Sequence, residues 1–143
     1  MSKARKVFAS ADDTEVAIYE ALGRADINAL MALWSDDEEA VCVHPGGPRL
    51  IGPAAIRASW EAILERGPVF IRPIQVHVTH NSMTSIHSLI EDIQRSDNAP
   101  ADLYVIATNV YVKTPLGWRI IAHHASIASG QPPLEHARPS TLH

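Results

Sequence analysis

The sequence predicts one α+β domain whose helices pack against one face of an antiparallel sheet. Helical apolar periodicity is confined to the first half of the chain, whereas the second half is rich in β-branched and aromatic residues. Helices followed by antiparallel strands are typical of α+β domains. A chain of 143 residues has the size of a single domain and can bury a core without disulfides or metals.

Two helices are predicted in the first quarter of the chain. In "SADDTEVAIYEALGRAD", Val16, Tyr19 and Leu22 recur at three-residue spacing after the polar capping residue Ser10. The second helix, "INALMALW", follows Asp26, whose carboxylate is a suitable N-cap. Its isoleucine, first leucine and tryptophan recur at i, i+3 and i+7, which gives the helix one apolar face.

A third helix is predicted over "GPAAIRASWEAILERG". Pro53 suits the first helical position, and Gly67 suits the C-terminal cap. Trp60 lies on the apolar face of this helix, while Arg57 and Glu61 are placed to pair on its outside at i, i+4.

Four strands are predicted in the second half of the chain, namely "IRPIQVHVTH", "SIHSLIEDIQ", "DLYVIATNVYVK" and "GWRIIAHHAS". The segment "TPLG" is predicted to be the hairpin turn between the last two strands. We expect the domain to span residues 10–129, between a flexible basic arm over residues 1–9 and a mobile proline-rich tail over residues 130–143.

The composition argues against several classes of protein. A formal net charge of −4 offers no basic surface for nucleic acid. The N-terminus lacks the apolar run of a signal peptide, and no apolar run approaches the ~20 residues of a membrane span. The lone Cys42 has no partner for an internal disulfide; between two valines it is a buried apolar residue or, alternatively, a nucleophile. We therefore expect a cytoplasmic protein that binds neither nucleic acid nor membrane.

The order of these segments resembles the nuclear transport factor 2-like superfamily. The resemblance rests on a capped helix that ends in an aromatic residue, on "VCVHPGG", on "GPAAIR" and on "GWRIIAHHAS", and it covers residues 12–128. The superfamily includes SnoaL-like polyketide cyclases, ketosteroid isomerase and the association domain of calcium/calmodulin-dependent protein kinase II. The resemblance implies a cone-shaped fold, in which a curved antiparallel sheet wraps around three helices and forms a pocket with them, and it implies a dimer.

His123 and His124 are adjacent in the last strand and therefore point to opposite faces of the sheet. This spacing argues against a metal ion shared by the two, and we predict no metal site. If "TPLG" closes the last hairpin, the register pairs Asn109 with Ala122 and Ala107 with His124. A bulge would exchange the two faces beyond its position.

In this register, the face that carries His124 also carries Trp118, Tyr111 and Asn109. Its apolar groups are the larger ones, so we assign it to the pocket. His124 near Asn109 is then either a polar corner of a ligand site or a buried histidine satisfied by backbone or hydroxyl groups.

The opposite face is also apolar and carries Tyr104, Ile106, Val110, Val112 and Ile121. A sheet that is apolar on both faces must bury both. Because the helices cover only one face, we predict a homodimer through the outer face, with His123 and Thr108 in or near the interface.

His44 precedes Pro45 at the position where ketosteroid isomerase-like members carry their general base, an aspartate before a proline. An imidazole, with an unperturbed pKa near ~6.5, can also act as a base at neutral pH. The resemblance aligns the oxyanion-donating tyrosine of those members with Ile18. Tyr19 lies one residue and about 100° further round the helix, so it is expected to point elsewhere. The matching strand offers no evident protonated-acid partner.

We therefore predict a pocket for a small apolar, carbonyl-bearing molecule, with isomerase-, cyclase- or hydrolase-like proton transfer and no cofactor. His44 and His124 are the candidate bases, and Asn109 is the candidate orienting group. The candidate ligand-binding residues are Asn109, Trp34, Trp60, Tyr19, Tyr111 and Trp118, although tryptophans are also typical of a core. Two alternatives are an association domain that serves as an oligomerisation scaffold and a carrier that binds a ligand without converting it.

Overall fold

A computed structural model describes residues 8–128 of the chain. Residues 1–7 of the predicted arm and the whole predicted tail, residues 130–143, lie outside this range, so the domain boundaries stay predictions. Within the described range the elements are α1 Ala11–Gly23, α2 Ile27–Met31, β1 Val41–Val43, β2 Arg49–Ile51, α3 Pro53–Leu64, β3 Phe70–His80, β4 Thr84–Gln94, β5 Ala101–Thr114 and β6 Gly117–Ala128.

The helices begin where the local sequence predicts. Ser10 and Asp26 each accept a hydrogen bond from the backbone N–H three residues later, at 3.1 and 3.0 Å, and α3 begins at Pro53. The helix α2 has only 5 residues and is shorter than predicted. The chain leaves it so that Trp34 forms a bridge with Ile120 in the sheet. None of the helices in the described range is long and apolar enough to span a membrane.

The α+β fold with helices on a curved sheet is confirmed, but the sheet is mixed and not wholly antiparallel. The strand order is β2-β1-β6-β5-β4-β3, and β1 runs parallel to β6. The four long strands are antiparallel neighbours, as predicted. The core lies between the helices and the concave face of the sheet and includes the fully buried side chains of Leu22, Leu30, Ile56, Leu89, Tyr111 and Ile120.

The pairing of β5 with β6 contains a bulge. Next to the turn, Tyr111 pairs with Ile120, as predicted. One extra residue of β6 then shifts the register, so that Asn109 pairs with His123 and not with Ala122. Because side chains alternate along a strand, every β6 residue beyond the bulge lies on the face opposite to the predicted one.

Candidate functional site

Buried polar side chains form a connected group between α1 and the concave face of the sheet. None of them is more than 8% exposed. Buried polar groups need hydrogen-bond partners, because an unpaired one costs about 1–3 kcal/mol. We name this group the interior network; it comprises Glu15 and Tyr19 of α1, Ser85, His87 and Glu91 of β4, Asn109 and Tyr111 of β5, and His123 of β6.

The bulge in β6 turns His123, and not His124, toward the interior network. His123 is buried, and its Nδ1 lies 2.6 Å from Asn109 Oδ1. His124 is exposed and pairs with Thr108 on the outer face. The predicted positions of His124 in the pocket and of His123 at the outer face are therefore both wrong, because one added residue reverses the direction of the side chains that follow it.

Tyr19 also points into the interior, contrary to the prediction. Its hydroxyl donates to Glu91 Oε2 at 2.7 Å and accepts from Asn109 Nδ2 at 3.2 Å. Ile18 is buried as well. The prediction is wrong because α1 contacts both the sheet and α2, so the buried arc of this helix is wider than one row of side chains.

The pKa values of the two carboxyl groups in the interior network are shifted in opposite directions from the ordinary value. Burial alone would raise the pKa of Glu15, but its close contact with His87 and the hydrogen bond from Tyr111 favour its anion and leave its pKa below the ordinary value. Burial raises the pKa of Glu91 to about 7, and the charge of Glu15 acts in the same direction. At neutral pH Glu15 is therefore ionised, while Glu91 keeps its proton in about half of the molecules.

The ionised Glu15 sets the direction of the hydrogen bonds that reach His123. A carboxylate only accepts, so Asn109 Nδ2, at 3.2 Å from Glu15 Oε2, donates, and the amide oxygen faces His123. His123 Nδ1 must then carry the proton, which leaves a lone pair on Nε2. Burial and then the neighbouring His44 lower the pKa of His123 to about 4, so this ring is a neutral base at pH 7.

His44, Trp60 and His123 bring three rings together, which we name the ring triangle. The ring centroids of His44 and Trp60 are 4.7 Å apart, and His123 lies 6.4 Å from His44 and 6.2 Å from Trp60. Ser59 Oγ donates to the carbonyl of Ile56 at 2.8 Å. With its one proton on this carbonyl, the hydroxyl accepts from His44 Nε2, at 2.9 Å, and Cys42 Sγ lies 3.7 Å from the same Nε2; we assign the ring proton to Nε2, so that Nδ1 keeps a lone pair.

Two further properties distinguish the ring triangle. Burial lowers the pKa of His44, as it does that of His123, so both imidazoles of the ring triangle are neutral at pH 7. The indole N–H of Trp60 is buried and has no hydrogen-bond acceptor within the described part of the chain. A buried donor without an acceptor is uncommon and is a place where a ligand oxygen gains a hydrogen bond.

The other predicted ligand residues lie apart from the ring triangle. Trp34 is buried in the hydrophobic core, and the hydroxyl of Tyr111 donates to Glu15 at 2.6 Å. Trp118 is half-buried and lines a surface groove beside Ser85. Across residues 8–128, no three His, Cys, Asp or Glu side chains are grouped so that they could hold a metal ion.

Glu15, His87 and Glu91 join the site without having been predicted, although the sequence contains a signal for each. Glu15 precedes Tyr19 by about one helical turn and so shares its face. His87 and Glu91 each lie two residues from the buried Leu89, so all three share the concave face of β4. In each case a titratable residue has the same helical or strand spacing as residues expected to be buried, and this pattern could have identified it.

Comparison with known proteins identifies the family. The SnoaL-like domain family matches residues 12–130 of the chain. No curated protein matches. A solved structure described as a calcium/calmodulin-dependent protein kinase type II association domain, from Thiobacillus denitrificans, is 30% identical over 87% of this chain and 99% of that chain, with a TM-score of 0.80.

Two other solved structures extend the likeness. One, described as a dehydratase of the nuclear transport factor 2-like family from Streptomyces avermitilis, is 30% identical over 83% of this chain and 94% of that chain, with a TM-score of 0.74. The other, a protein of unknown function with a cystatin-like fold from Nostoc punctiforme, is 10% identical over 88% of this chain and 98% of that chain; its TM-score of 0.71 supports the fold alone. This chain therefore belongs to the SnoaL-like family of the nuclear transport factor 2-like superfamily.

Proposed function

We propose that the protein binds a small apolar, carbonyl-bearing molecule at the ring triangle and transfers a proton on it, in an isomerase-, cyclase- or hydrolase-like reaction. One observation carries the proposal: hydrogen-bond directions leave a lone pair on each of two neutral imidazoles, next to an indole N–H that has no acceptor in the described range. A base and a hydrogen-bond donor are the two groups that proton abstraction beside a carbonyl requires.

In the proposed reaction, His44 Nδ1 removes a proton from the carbon next to the carbonyl. The electron pair of the broken C–H bond passes into an enolate, whose oxygen accepts a hydrogen bond from Trp60 Nε1. The imidazolium then returns the proton to the same carbon or to another one, so the step needs no oxidant or reductant. His44 is half-buried, whereas Trp60 and His123 are buried, so a ligand arriving from solvent meets His44 first.

The interior network supports this role from behind the ring triangle. His123 receives a fixed orientation from Asn109, and its Nε2 serves as an acceptor for a ligand hydroxyl or as a second base. The surrounding burial keeps both histidines neutral, which is the state a base must have before it takes a proton.

Hydrogen–deuterium exchange at the carbon next to the carbonyl of cyclohexanone, followed by proton NMR in D₂O, tests the proposal without knowledge of the natural substrate. The wild-type protein should exchange these protons faster than free imidazole at equal concentration. His44→Gln and His123→Gln should each lower the rate by roughly 100-fold. His77→Gln, a matched change at an exposed histidine of β3, should leave it unchanged.

Two outcomes would contradict proton transfer. One is a wild-type rate no greater than that of free imidazole. The other is a His44→Gln rate equal to that of the wild type. Binding of cyclohexanone, seen as line broadening, without exchange would support the carrier alternative instead.

A second candidate function, an association domain, is favoured by the likeness to the Thiobacillus denitrificans structure and by the outer face of the sheet. Ile86 and Ile106 on this face are 40% and 41% exposed, although isoleucine is usually buried. Ile121, predicted to lie on the outer face, packs against the core because of the bulge. We propose that a second copy of the chain covers this face in a homodimer.

Sedimentation velocity tests the dimer. The wild type should sediment as a dimer, and Ile106→Asp should sediment as a monomer with unchanged far-ultraviolet circular dichroism. Val16→Asp, at an exposed apolar residue of α1, is the matched control and should stay dimeric. A monomeric wild type would refute the interface, and a closed assembly larger than a dimer would favour the association domain.

A further inference from the structure

A second group of reactive side chains lies on β4 beside the start of α1. Ser85 and His87 are two residues apart, so both point to the concave face, and they are only 4% and 1% exposed. Ser85 Oγ lies 3.0 Å from His87 Nε2. On the other side of the ring, Glu15 Oε2 lies 3.0 Å from His87 Nδ1. Hydroxyl, imidazole and carboxylate in this order are the components of an activated serine nucleophile.

The charge on Glu15 fixes the tautomer of His87. An ionised carboxylate attracts an N–H and repels the lone pair of a ring nitrogen, so a proton is favoured on Nδ1, and Nε2 accepts a hydrogen bond from the Ser85 hydroxyl. The contact between Nδ1 and the carboxylate is close without being a linear hydrogen bond, so its main effect is to stabilise positive charge on the ring. Asp12 Oδ1, on an exposed side chain, lies 3.6 Å from Nε2 and attracts the ring only after Nε2 has taken a proton, an attraction that solvent screens.

Tyr111 holds the carboxylate and the imidazole in place. Its hydroxyl donates to Glu15 Oε2 at 2.6 Å, and its ring centroid lies 4.8 Å from that of His87. Because Tyr111 is fully buried, neither partner can turn away without opening the core. The orientation of His87 is therefore set by packing as well as by charge.

Ser85 lines a groove of about 400 Å³ on the surface. Trp118 and Val78 provide apolar contact in this groove, and the first turn of α1 forms another part of its wall. The N–H of Asp13 is already bonded to Ser10 Oγ, but those of Ala11 and Asp12, which line the groove, have no intrahelical acceptor and favour negative charge, such as the charge that forms on a carbonyl oxygen under attack. The ring triangle does not line this groove.

We propose that Ser85 is the nucleophile of a second site, one that takes esters or thioesters with a small acyl group. Ser85 Oγ forms a bond to the acyl carbon while its proton passes to His87 Nε2. The bond to the leaving oxygen or sulfur then breaks, and the leaving group departs with that proton. Water then bonds to the acyl carbon of the acyl-serine while one of its protons passes to His87 Nε2. The bond from this carbon to Ser85 Oγ breaks, Oγ takes the proton, and the free acid is released. Glu15 is a positioning residue that acts through His87.

Reaction with diisopropyl fluorophosphate tests this site, because the reagent forms a stable bond to an activated serine with loss of fluoride. Mass spectrometry of a digest should find the label on Ser85 in the native wild type and not in urea-unfolded protein. Ser85→Ala should abolish the label. Ser88→Ala, at an exposed serine of the same strand on the opposite face, should leave it unchanged.

The histidine and the carboxylate are tested through the rate of labelling. His87→Gln should slow it by roughly 100-fold. Glu15→Gln should slow it and also move its pH profile, which a purely structural role of the carboxylate would not do. Because mapping of the label in wild-type protein requires no variant, the test survives a variant that fails to fold.

An unlabelled Ser85 in native protein, or a labelling rate that His87→Gln does not alter, would overturn the proposal. Exchange of cyclohexanone protons reports on the ring triangle and labelling reports on Ser85. Either site can therefore fail its test while the other passes.

Discussion

Replacing Glu91 by glutamine should remove a pH-dependent loss of stability. The pKa of Glu91 is about 7 in the folded protein because of burial, against an ordinary value of 4.5. Below about pH 4.5 the carboxyl group is protonated in both folded and unfolded chains. Between about pH 4.5 and about pH 7 the unfolded chain ionises while the folded chain keeps its proton, so stability falls as pH rises. At about 1.4 kcal/mol per unit of pKa, the total loss is about 3 kcal/mol.

Urea unfolding of wild type and Glu91→Gln at one protein concentration, from about pH 5 to about pH 8, measures this loss. The free energy of unfolding of the variant minus that of the wild type should increase by about 2–3 kcal/mol over this range. Burial lowers the pKa of His123 to about 4, so its contribution to the free energy of unfolding is lost as pH falls from about 6.5, whereas that of Glu91 is lost as pH rises. Because both proteins contain His123, its contribution cancels in the difference.

Glu65→Gln, at an exposed glutamate at the end of α3, is the matched control and should give a difference that does not vary with pH. A constant difference for Glu91→Gln would refute the reasoning. It would mean that Glu91 ionises at the same pH in the folded and unfolded chains, so that burial does not control its charge.

Three further predictions concern Tyr19, Cys42 and two glycines. Tyr19→Phe removes the donor to a buried carboxyl group and should cost about 1–3 kcal/mol in urea unfolding; an unchanged stability would show that the hydrogen bond is replaced. Cys42 is fully buried, and burial raises its thiol pKa to about 12, so a thiol reagent should label it only in denaturant; rapid labelling of native protein would contradict that burial. Gly52→Ala and Gly46→Ala should each cost about 1–2 kcal/mol because both backbones have positive φ. Gly52→Ala should cost more, because a Cβ added at Gly52 meets a backbone oxygen at 3.3 Å, whereas one added at Gly46 meets no atom within 4 Å. Equal losses of stability would contradict this.

The helix starts and the last hairpin could be predicted because each depends on residues close together in the chain. Ser10 and Asp26 cap the next turn of backbone, and Pro53 fixes the start of α3 through its own φ angle. The turn "TPLG" brings the ends of β5 and β6 together and sets the first pairs, including Tyr111 with Ile120.

The site could be predicted only in part, because its geometry depends on contacts between distant segments. His44, Asn109 and Tyr19 were singled out from the sequence, and the structure brings His44 within ring contact of Trp60 and Tyr19 within hydrogen-bond distance of Asn109. No residue pattern placed the bulge in β6, so the expected inward side chain, His124, lies outside.

The sequence by itself determined the α+β architecture, most helix limits and the last turn, because propensity, capping and periodicity are properties of neighbouring residues. Only the tertiary structure decided which histidine of the adjacent pair enters the interior, which of two buried glutamates has a raised pKa and which serine hydroxyls meet imidazoles. These outcomes depend on strand register and on the shared burial of groups that α1, β4, β5 and β6 bring together across the chain.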